Sequence, residues 1–178
     1  MSYVSLENSD SFLKCFEVIA EDKSCIVADS VLYLSGKTGK GFVTVAGLAA
    51  GIEVLAVNVS MLAEDLVFNF LPSRGESTYI LCFDEIDPAA GKADQEGMTP
   101  AGTTPEGTQS MVSLTDLAYG KVTTYPKDKV IRSLVVRVRR SGLEHLIQDF
   151  DAGTIQSILQ STGNRHSLSW PIDRKSVV

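Results

Sequence analysis

The chain has 178 residues, of which 44% are hydrophobic and 21% charged, values typical of a single globular domain with its own core. The formal net charge of -6 argues against nucleic-acid binding by this chain alone, because phosphate binding needs clustered Lys and Arg. Three cysteines without CxxC spacing suggest neither a disulfide framework nor a zinc site. The sequence shows no signal peptide and no apolar run of membrane-spanning length, so we expect a cytoplasmic protein without membrane partners.

The first segment with a clear period is SFLKCFEVIAED, which follows Ser9 and Asp10. Its apolar side chains recur at helical spacing: Phe12, Leu13, Phe16, Ile19 and Ala20. Ser9 and Asp10 are suitable N-cap residues, because their side-chain oxygens can accept hydrogen bonds from the first helical amides. The pattern favours an amphipathic helix, and an extended strand is the alternative because Phe, Cys, Val and Ile also suit strands.

The next segment, CIVADSVLYLSG, predicts two short strands separated by a bulge or turn near Asp29. The glycines and lysines of GKTGKG at 36–41 resemble a phosphate-binding loop. Such a loop requires Lys and then Ser or Thr after its last glycine, followed by a helix. Here Gly41 is followed by Phe42 and a strand-like run, so a hairpin turn is predicted instead.

The centre of the chain, from Gly51 to Ile86, contains three apolar runs separated by polar or Pro/Gly-containing breaks. The runs are Ile52–Val59, Leu66–Leu71 and Thr78–Phe83. Short strands at this spacing, without intervening helices, are typical of an antiparallel β-barrel or sandwich. Residues 87–110 contain little that could be buried, which predicts a long mobile loop, either a passive insertion or a lid.

After this loop, KVTTYPKDK is interpreted as a turn and VIRSLVVRVRR as the last strand. We interpret the basic residues around that strand, which include Arg132, Arg137, Arg139 and Arg140, as a solvated strand end. The barrel or sandwich is therefore predicted to span residues 23–138 of a single domain covering 1–178.

Residues 141–161 change to a helical period and predict one or two C-terminal α-helices, with Gly153 between them. Helices that follow a sheet structure pack on its side or on a second subunit. Their apolar positions are Leu143, Leu146, Ile147, Phe150, Ile155, Ile158 and Leu159.

No residue pattern indicates catalysis. The only histidines, His145 and His166, lie outside the predicted strands, which excludes a strand-borne metal centre needing several imidazoles. Nothing pairs Cys82 or a serine with either histidine, as nucleophilic catalysis would require. We therefore expect no cofactor, no metal and no enzymatic activity.

A ligand pocket inside the barrel is the remaining hypothesis, since an apolar cavity with a few polar groups can orient a small molecule. The side chains predicted to face it are Asn58, Asn69, Phe70, Tyr79 and Cys82. Alternation along VFNFL places the Asn69 side chain on the other face of the strand from Phe68 and Phe70. That face is directed either into the barrel or into solvent.

Several of these segments together resemble the N-terminal sensor domains of AraC-family transcription regulators. They are the strand beginning at Gly51 and Ile52, then MLAEDLVFNF, TYILCFDEI and VIRSLVVRVRRSGLEHLIQDF, within residues 40–160. The resemblance implies a cupin-like barrel or sandwich that binds a small effector, with the C-terminal helical residues forming a homodimer contact. The family's helix-turn-helix half is missing from this chain, so DNA would be bound only through that missing part.

The expected function is therefore a regulatory domain that senses a small molecule and dimerises. A purely structural dimerisation module is the first alternative, with a core filled by Phe68, Phe70, Phe83, Leu81 and Val57. A metal-free barrel isomerase or epimerase is the second. It would have to use as acid and base Asp84, Glu85, Glu53, Tyr79 or a lysine.

Overall fold

The computed structural model describes residues 2–7, 10–20, 25–34, 39–49, 51–72, 77–88, 108–140, 142 and 167–171. Within these ranges the chain forms eleven strands and one α-helix. They are β1 (Ser2–Leu6), α1 (Lys14–Ile19), β2 (Ile26–Ala28), β3 (Val31–Leu34), β4 (Gly39–Ala49), β5 (Ile52–Leu62), β6 (Leu66–Phe70), β7 (Thr78–Pro88), β8 (Gln109–Asp116), β9 (Lys121–Tyr125), β10 (Lys129–Arg139) and β11 (Ser167–Pro171). A 3-10 turn at Leu117–Tyr119 connects β8 to β9, and the Asp116 carboxylate accepts a hydrogen bond from the Ala118 amide at 2.9 Å.

The strands form two open sheets. The large sheet has the order β11-β8-β7-β10-β5-β4-β3-β2, and every pair in it is antiparallel. The small sheet has the order β1-β6-β9, with β1 parallel and β9 antiparallel to β6. The expected mainly-β antiparallel fold is confirmed in its sandwich form, because neither sheet closes into a barrel.

One apolar cluster fills the space between the two sheets, and it includes residues of both. Alternation along β5 turns Leu55, Val57 and Val59 inward, and along β6 it turns Phe68 and Phe70 inward to meet them. Helix α1 adds Cys15, Phe16 and Ile19 to the same cluster, and Phe12, just before the helix, joins them. We call the side of the large sheet that faces this cluster the inner face, and the opposite side the outer face.

The structure changes the boundaries of several predicted elements. The predicted helix is confirmed over Lys14–Ile19, but its N-cap residue is Leu13 without a side-chain cap, so the prediction of Ser9 and Asp10 as caps was wrong. The turn near Asp29 is confirmed by its positive φ of 53°. The sandwich begins before residue 23, because Ser2–Leu6 pairs with β6. The first and last residues of the predicted 87–110 loop belong to β7 and β8, while 89–107 lie outside the described residues.

One further prediction was wrong, and another concerns residues outside the described ranges. The segment KVTTYPKDK was predicted to be a turn, but its first five residues form β9. Residues 141–161 lie outside the described residues except for Gly142, as do all seven residues of the predicted dimer contact. No helix in the described part of the chain has the length and apolar character to cross a membrane.

Among the described residues Arg137 is the largest fully buried side chain, so its interpretation as part of a solvated strand end was wrong. Its guanidinium lies 4.5 Å from the centre of the Phe12 ring and donates hydrogen bonds to the Glu53 carboxylate and the Asp10 carbonyl oxygen. Ser11 Oγ donates to the other Glu53 oxygen at 2.8 Å. This network attaches the segment before α1 to strands β5 and β10.

Gly41 allows β4 and β5 to approach closely at a register shift of their ladder. Its φ of 140° disfavours any side chain, and a Cβ there would collide with the Asn58 carbonyl oxygen. We expect Gly41→Ala to lower the free energy of unfolding by roughly 1–3 kcal/mol. Chemical denaturation measures the effect, and Gly47→Ala is the matched control, because a Cβ at Gly47 meets nothing within 4 Å. Equal effects of the two variants would contradict this account.

Candidate functional site

The inner face of the large sheet is apolar beneath β4 and β5, but on β7, β8 and β10 it carries buried polar side chains among apolar ones. Inward positions on these three strands include Cys82, Asp84, Ser113 and Ser133, all of them buried. In the strand ladders Cys82 is opposite Ser113, and Asp84 is opposite Ser133. Polar groups in a core reduce stability unless they are hydrogen-bonded, so their concentration in one place indicates a local polar site.

Strand β9 covers these residues from the small sheet. Its alternation directs Lys121, Thr123 and Tyr125 toward the interior, while Val122 and Thr124 are exposed. Lys121 Nζ lies 3.0 Å from Cys82 Sγ and 2.9 Å from Ser113 Oγ. We call these seven residues the interior polar cluster: Cys82, Asp84, Ser113, Lys121, Thr123, Tyr125 and Ser133.

A second chain of hydrogen bonds connects Tyr125 to Asp84. Ser133 Oγ donates to Asp84 Oδ1 at 2.5 Å, and the Tyr125 hydroxyl lies 2.7 Å from Ser133 Oγ. Because the single Ser133 hydrogen is directed at Asp84, the Tyr125 hydroxyl donates to Ser133. The relay therefore runs from Tyr125 through Ser133 to Asp84.

Two members of the cluster are held in their protonated forms. Burial raises the pKa of the Cys82 thiol, although the nearby Lys121 opposes that shift. Burial, followed by the negative charge of Asp84, raises the pKa of Tyr125 well above its usual value. At neutral pH both groups are therefore neutral hydrogen-bonding groups, and Cys82 is a poor nucleophile.

The five residues predicted to bind ligand are divided among different surfaces. Cys82 and Phe70 face the interior, and Phe70 makes an edge contact with Phe12 at 6.1 Å between ring centres. Asn58 is exposed on the outer face. Asn69 and Tyr79 are half-buried and alternate with inward-facing neighbours, so both point away from the core. The residues predicted from sequence to bind ligand did not include Lys121, Thr123 and Tyr125, although the alternation in KVTTY is typical of a strand.

A groove of about 300 Å³ lies on the outer face of the large sheet. Its side chains come from four neighbouring strands: Ala56, Asn58, Phe83, Glu85, Ser110, Arg132 and Leu134. Arg132 is already bonded to Glu85 at 2.7 Å and to Asp87 at 2.8 Å. The charges in the groove are thus already paired, so the interior polar cluster is the stronger candidate for ligand recognition. No group of three or more His, Cys, Asp or Glu in the described ranges could hold a metal ion.

Thiol chemistry tests the placement of the cysteines. Cys15 and Cys82 are fully buried, and burial raises the pKa of Cys15 to about 12, whereas Cys25 is partly exposed. We expect a thiol reagent such as Ellman's to modify one cysteine per native chain and all three after denaturation. A Cys25→Ser variant should then show no rapid reaction. Rapid modification of Cys82 in the native protein would contradict the buried site.

No family model matches the chain, and comparison with curated proteins and with solved structures gave no significant match.

Proposed function

We propose that this chain is a non-enzymatic regulatory domain that binds a small molecule between its two sheets and dimerises. The proposal rests mainly on the interior polar cluster, since a sandwich core has no structural need for an ammonium, a carboxylate and several hydroxyls. Such groups beside an aromatic core are typical of small-molecule sites. The resemblance to AraC-family sensor domains supports a role in transcription regulation, with DNA bound by a separate helix-turn-helix half.

The chemistry of the cluster favours binding over catalysis. Its thiol and phenol are neutral at physiological pH, because burial raises the pKa of both Cys82 and Tyr125. The Asp84 carboxylate already accepts a short hydrogen bond from Ser133. Groups held in this way are suited to orienting a ligand, and a ligand that binds one arrangement of the domain more tightly can then shift its population.

The experiment is a thermal-unfolding screen of metabolite pools, followed by titration of individual hits. A ligand present at 100 times its dissociation constant should stabilise the native state by about 2.7 kcal/mol. The matched variants are Thr123→Val inside the cluster and Thr124→Val at the exposed neighbouring position of the same strand. Thr123→Val should weaken binding, whereas Thr124→Val should leave it unchanged. The sensing function would be rejected if no compound raised the melting temperature.

Dimerisation is tested separately by the mass of the protein in solution. We propose that the C-terminal residues Leu143–Leu159 provide the contact, and light scattering of the full chain should then give twice the 19.2 kDa chain mass. A mass of one subunit at micromolar concentration would contradict the dimer without affecting the proposed ligand site.

A further inference from the structure

Lys121 differs from Lys14, Arg132 and Arg137 in the charge of its partners. Lys14 is paired with Asp10 at 2.8 Å, and Arg132 and Arg137 are paired with carboxylates. Lys121 is partly buried, yet its two partners are the uncharged Cys82 thiol and Ser113 hydroxyl. Within the described residues no carboxylate lies within 4.0 Å of its Nζ. A partly buried ammonium without an adjacent counter-ion loses part of its hydration uncompensated, so an added anion would stabilise this position.

Hydrogen-bonding capacity also remains unused beside this ammonium. Lys121 has three N–H donors, of which two are directed at Cys82 and Ser113. Thr123, two residues along the same strand and on the same side, has a buried hydroxyl that finds no hydrogen-bond partner among the described residues. One charged donor and one neutral donor are therefore available on the inward side of β9.

The surroundings of these donors are aromatic. In the ladder between β6 and β9, Lys121 is opposite Phe70 and Thr123 is opposite Phe68, and both rings belong to the buried core. A ligand that binds the two donors would therefore have its remaining atoms beside apolar surface. Inorganic phosphate has no apolar part to place there, and a fully hydroxylated sugar would leave the ammonium without a counter-charge.

We propose that the interior polar cluster binds a small organic monocarboxylate, whose carboxylate pairs with Lys121 and accepts a hydrogen bond from Thr123 while its apolar body contacts the core aromatic rings. This inference rests on the proposed function and specifies the class of its ligand. The donors supply what a carboxylate needs, since its two oxygens accept hydrogen bonds and carry the charge absent beside Lys121.

Matched pairs of probes test the charge requirement. Benzoate and butanoate are compared with benzamide and butanamide, which keep the shape but lack the charge. Binding to the full chain is followed by amide chemical shifts in NMR titrations and by thermal unfolding. We expect the carboxylates to bind at least about tenfold more tightly than the amides, because hydrogen bonds to charged groups are the stronger class. The shifts should concentrate on β7, β8 and β9.

Substitutions at Lys121 test whether the carboxylate binds at the interior polar cluster. Lys121→Met should weaken carboxylate binding by about tenfold to a hundredfold, whereas Lys121→Arg should retain most of it because the charge is kept. Lys127→Met is the control for the loss of one positive charge, since Lys127 is exposed in the turn after β9. Far-UV circular dichroism and the melting temperature of each free variant confirm that it is folded.

The results of these experiments distinguish an error in the ligand class from an error in the proposed sensing function. Equal binding of amides and carboxylates, or undiminished carboxylate binding by Lys121→Met, would overturn the carboxylate assignment. If a neutral compound from the metabolite screen bound in a Thr123-dependent manner and the carboxylates did not, the sensing function would stand and the ligand class would be wrong. If neither the screen nor the carboxylate probes gave binding, both would be rejected.

Discussion

Replacing Arg137 by Met is expected to lower the free energy of unfolding by about 3 kcal/mol, because it removes the fully buried partner of a partly buried ion pair. The Arg137 side chain is 2% exposed, and its partner Glu53 is 24% exposed. The substitution would leave the Glu53 carboxylate with a single side-chain hydrogen bond, from Ser11. It would also remove the hydrogen bond to the Asp10 carbonyl and the contact with the Phe12 ring.

Two further variants test whether loss of the ion pair causes the reduced stability of Arg137→Met. Lys14→Met removes a lysine that is 42% exposed and paired with a partly exposed Asp10, and it should reduce stability much less than Arg137→Met does. Adding Glu53→Gln to Arg137→Met should restore part of the loss, because the unpaired charge is then gone. Urea denaturation of the four proteins provides the free energies. Equal effects of Lys14→Met and Arg137→Met would contradict the burial of Arg137.

The same pair predicts a dependence of stability on pH. Burial alone would raise the pKa of Glu53, but the hydrogen bonds from Arg137 and Ser11 outweigh it and hold the pKa below its ordinary value of 4.5. A carboxyl whose pKa is lower in the folded state stabilises the protein fully above the unfolded-state pKa. This contribution is lost as the pH falls from about 4.5 through the lower folded-state pKa. Over that range Glu53→Gln should lose less stability than the wild type.

Replacing Phe68 by Ala is the second change with a large expected effect, about 3–5 kcal/mol of unfolding free energy. Phe68 lies on the central strand of the small sheet and is 1% exposed. Its ring is 5.7 Å from the Tyr125 ring in an edge arrangement and 6.4 Å from the Phe70 ring in a stacked one. Truncation would leave a cavity between the two sheets and remove support from the side of Tyr125 that faces the polar relay.

Phe83 provides the matched control for this substitution. The sequence pattern assigned it to the same filled core, but it is 39% exposed on the outer face of the large sheet. Phe83→Ala should therefore reduce stability by about 1 kcal/mol or less. Thermal and chemical unfolding of both variants measures the difference. If the two substitutions were equally destabilising, the assignment of the inner face would be wrong.

The central strands could be predicted from sequence because their signals are local. The apolar runs at Ile52–Val59, Leu66–Leu71 and Thr78–Phe83 correspond to β5, β6 and β7, each with small changes at its ends. Strand β9 is hard to recognise in the sequence because Pro126 and the turn at Asp128 follow it directly. The whole segment KVTTYPKDK therefore resembles a turn, although its first five residues form a strand. Interpreting the whole segment as a turn hid Lys121, Thr123 and Tyr125, and with them most of the candidate site.

The positions of most strands and the alternation of side chains along them follow from the sequence, because the two-residue period is a property of local backbone geometry. Which face of a strand is covered depends on tertiary packing. That choice depends on strands distant in sequence, since β1, β6 and β9 together cover the inner face of the large sheet. For this reason Asn58 lies outside, while Arg137 is buried against Phe12 and Lys121 contacts Cys82 across the core.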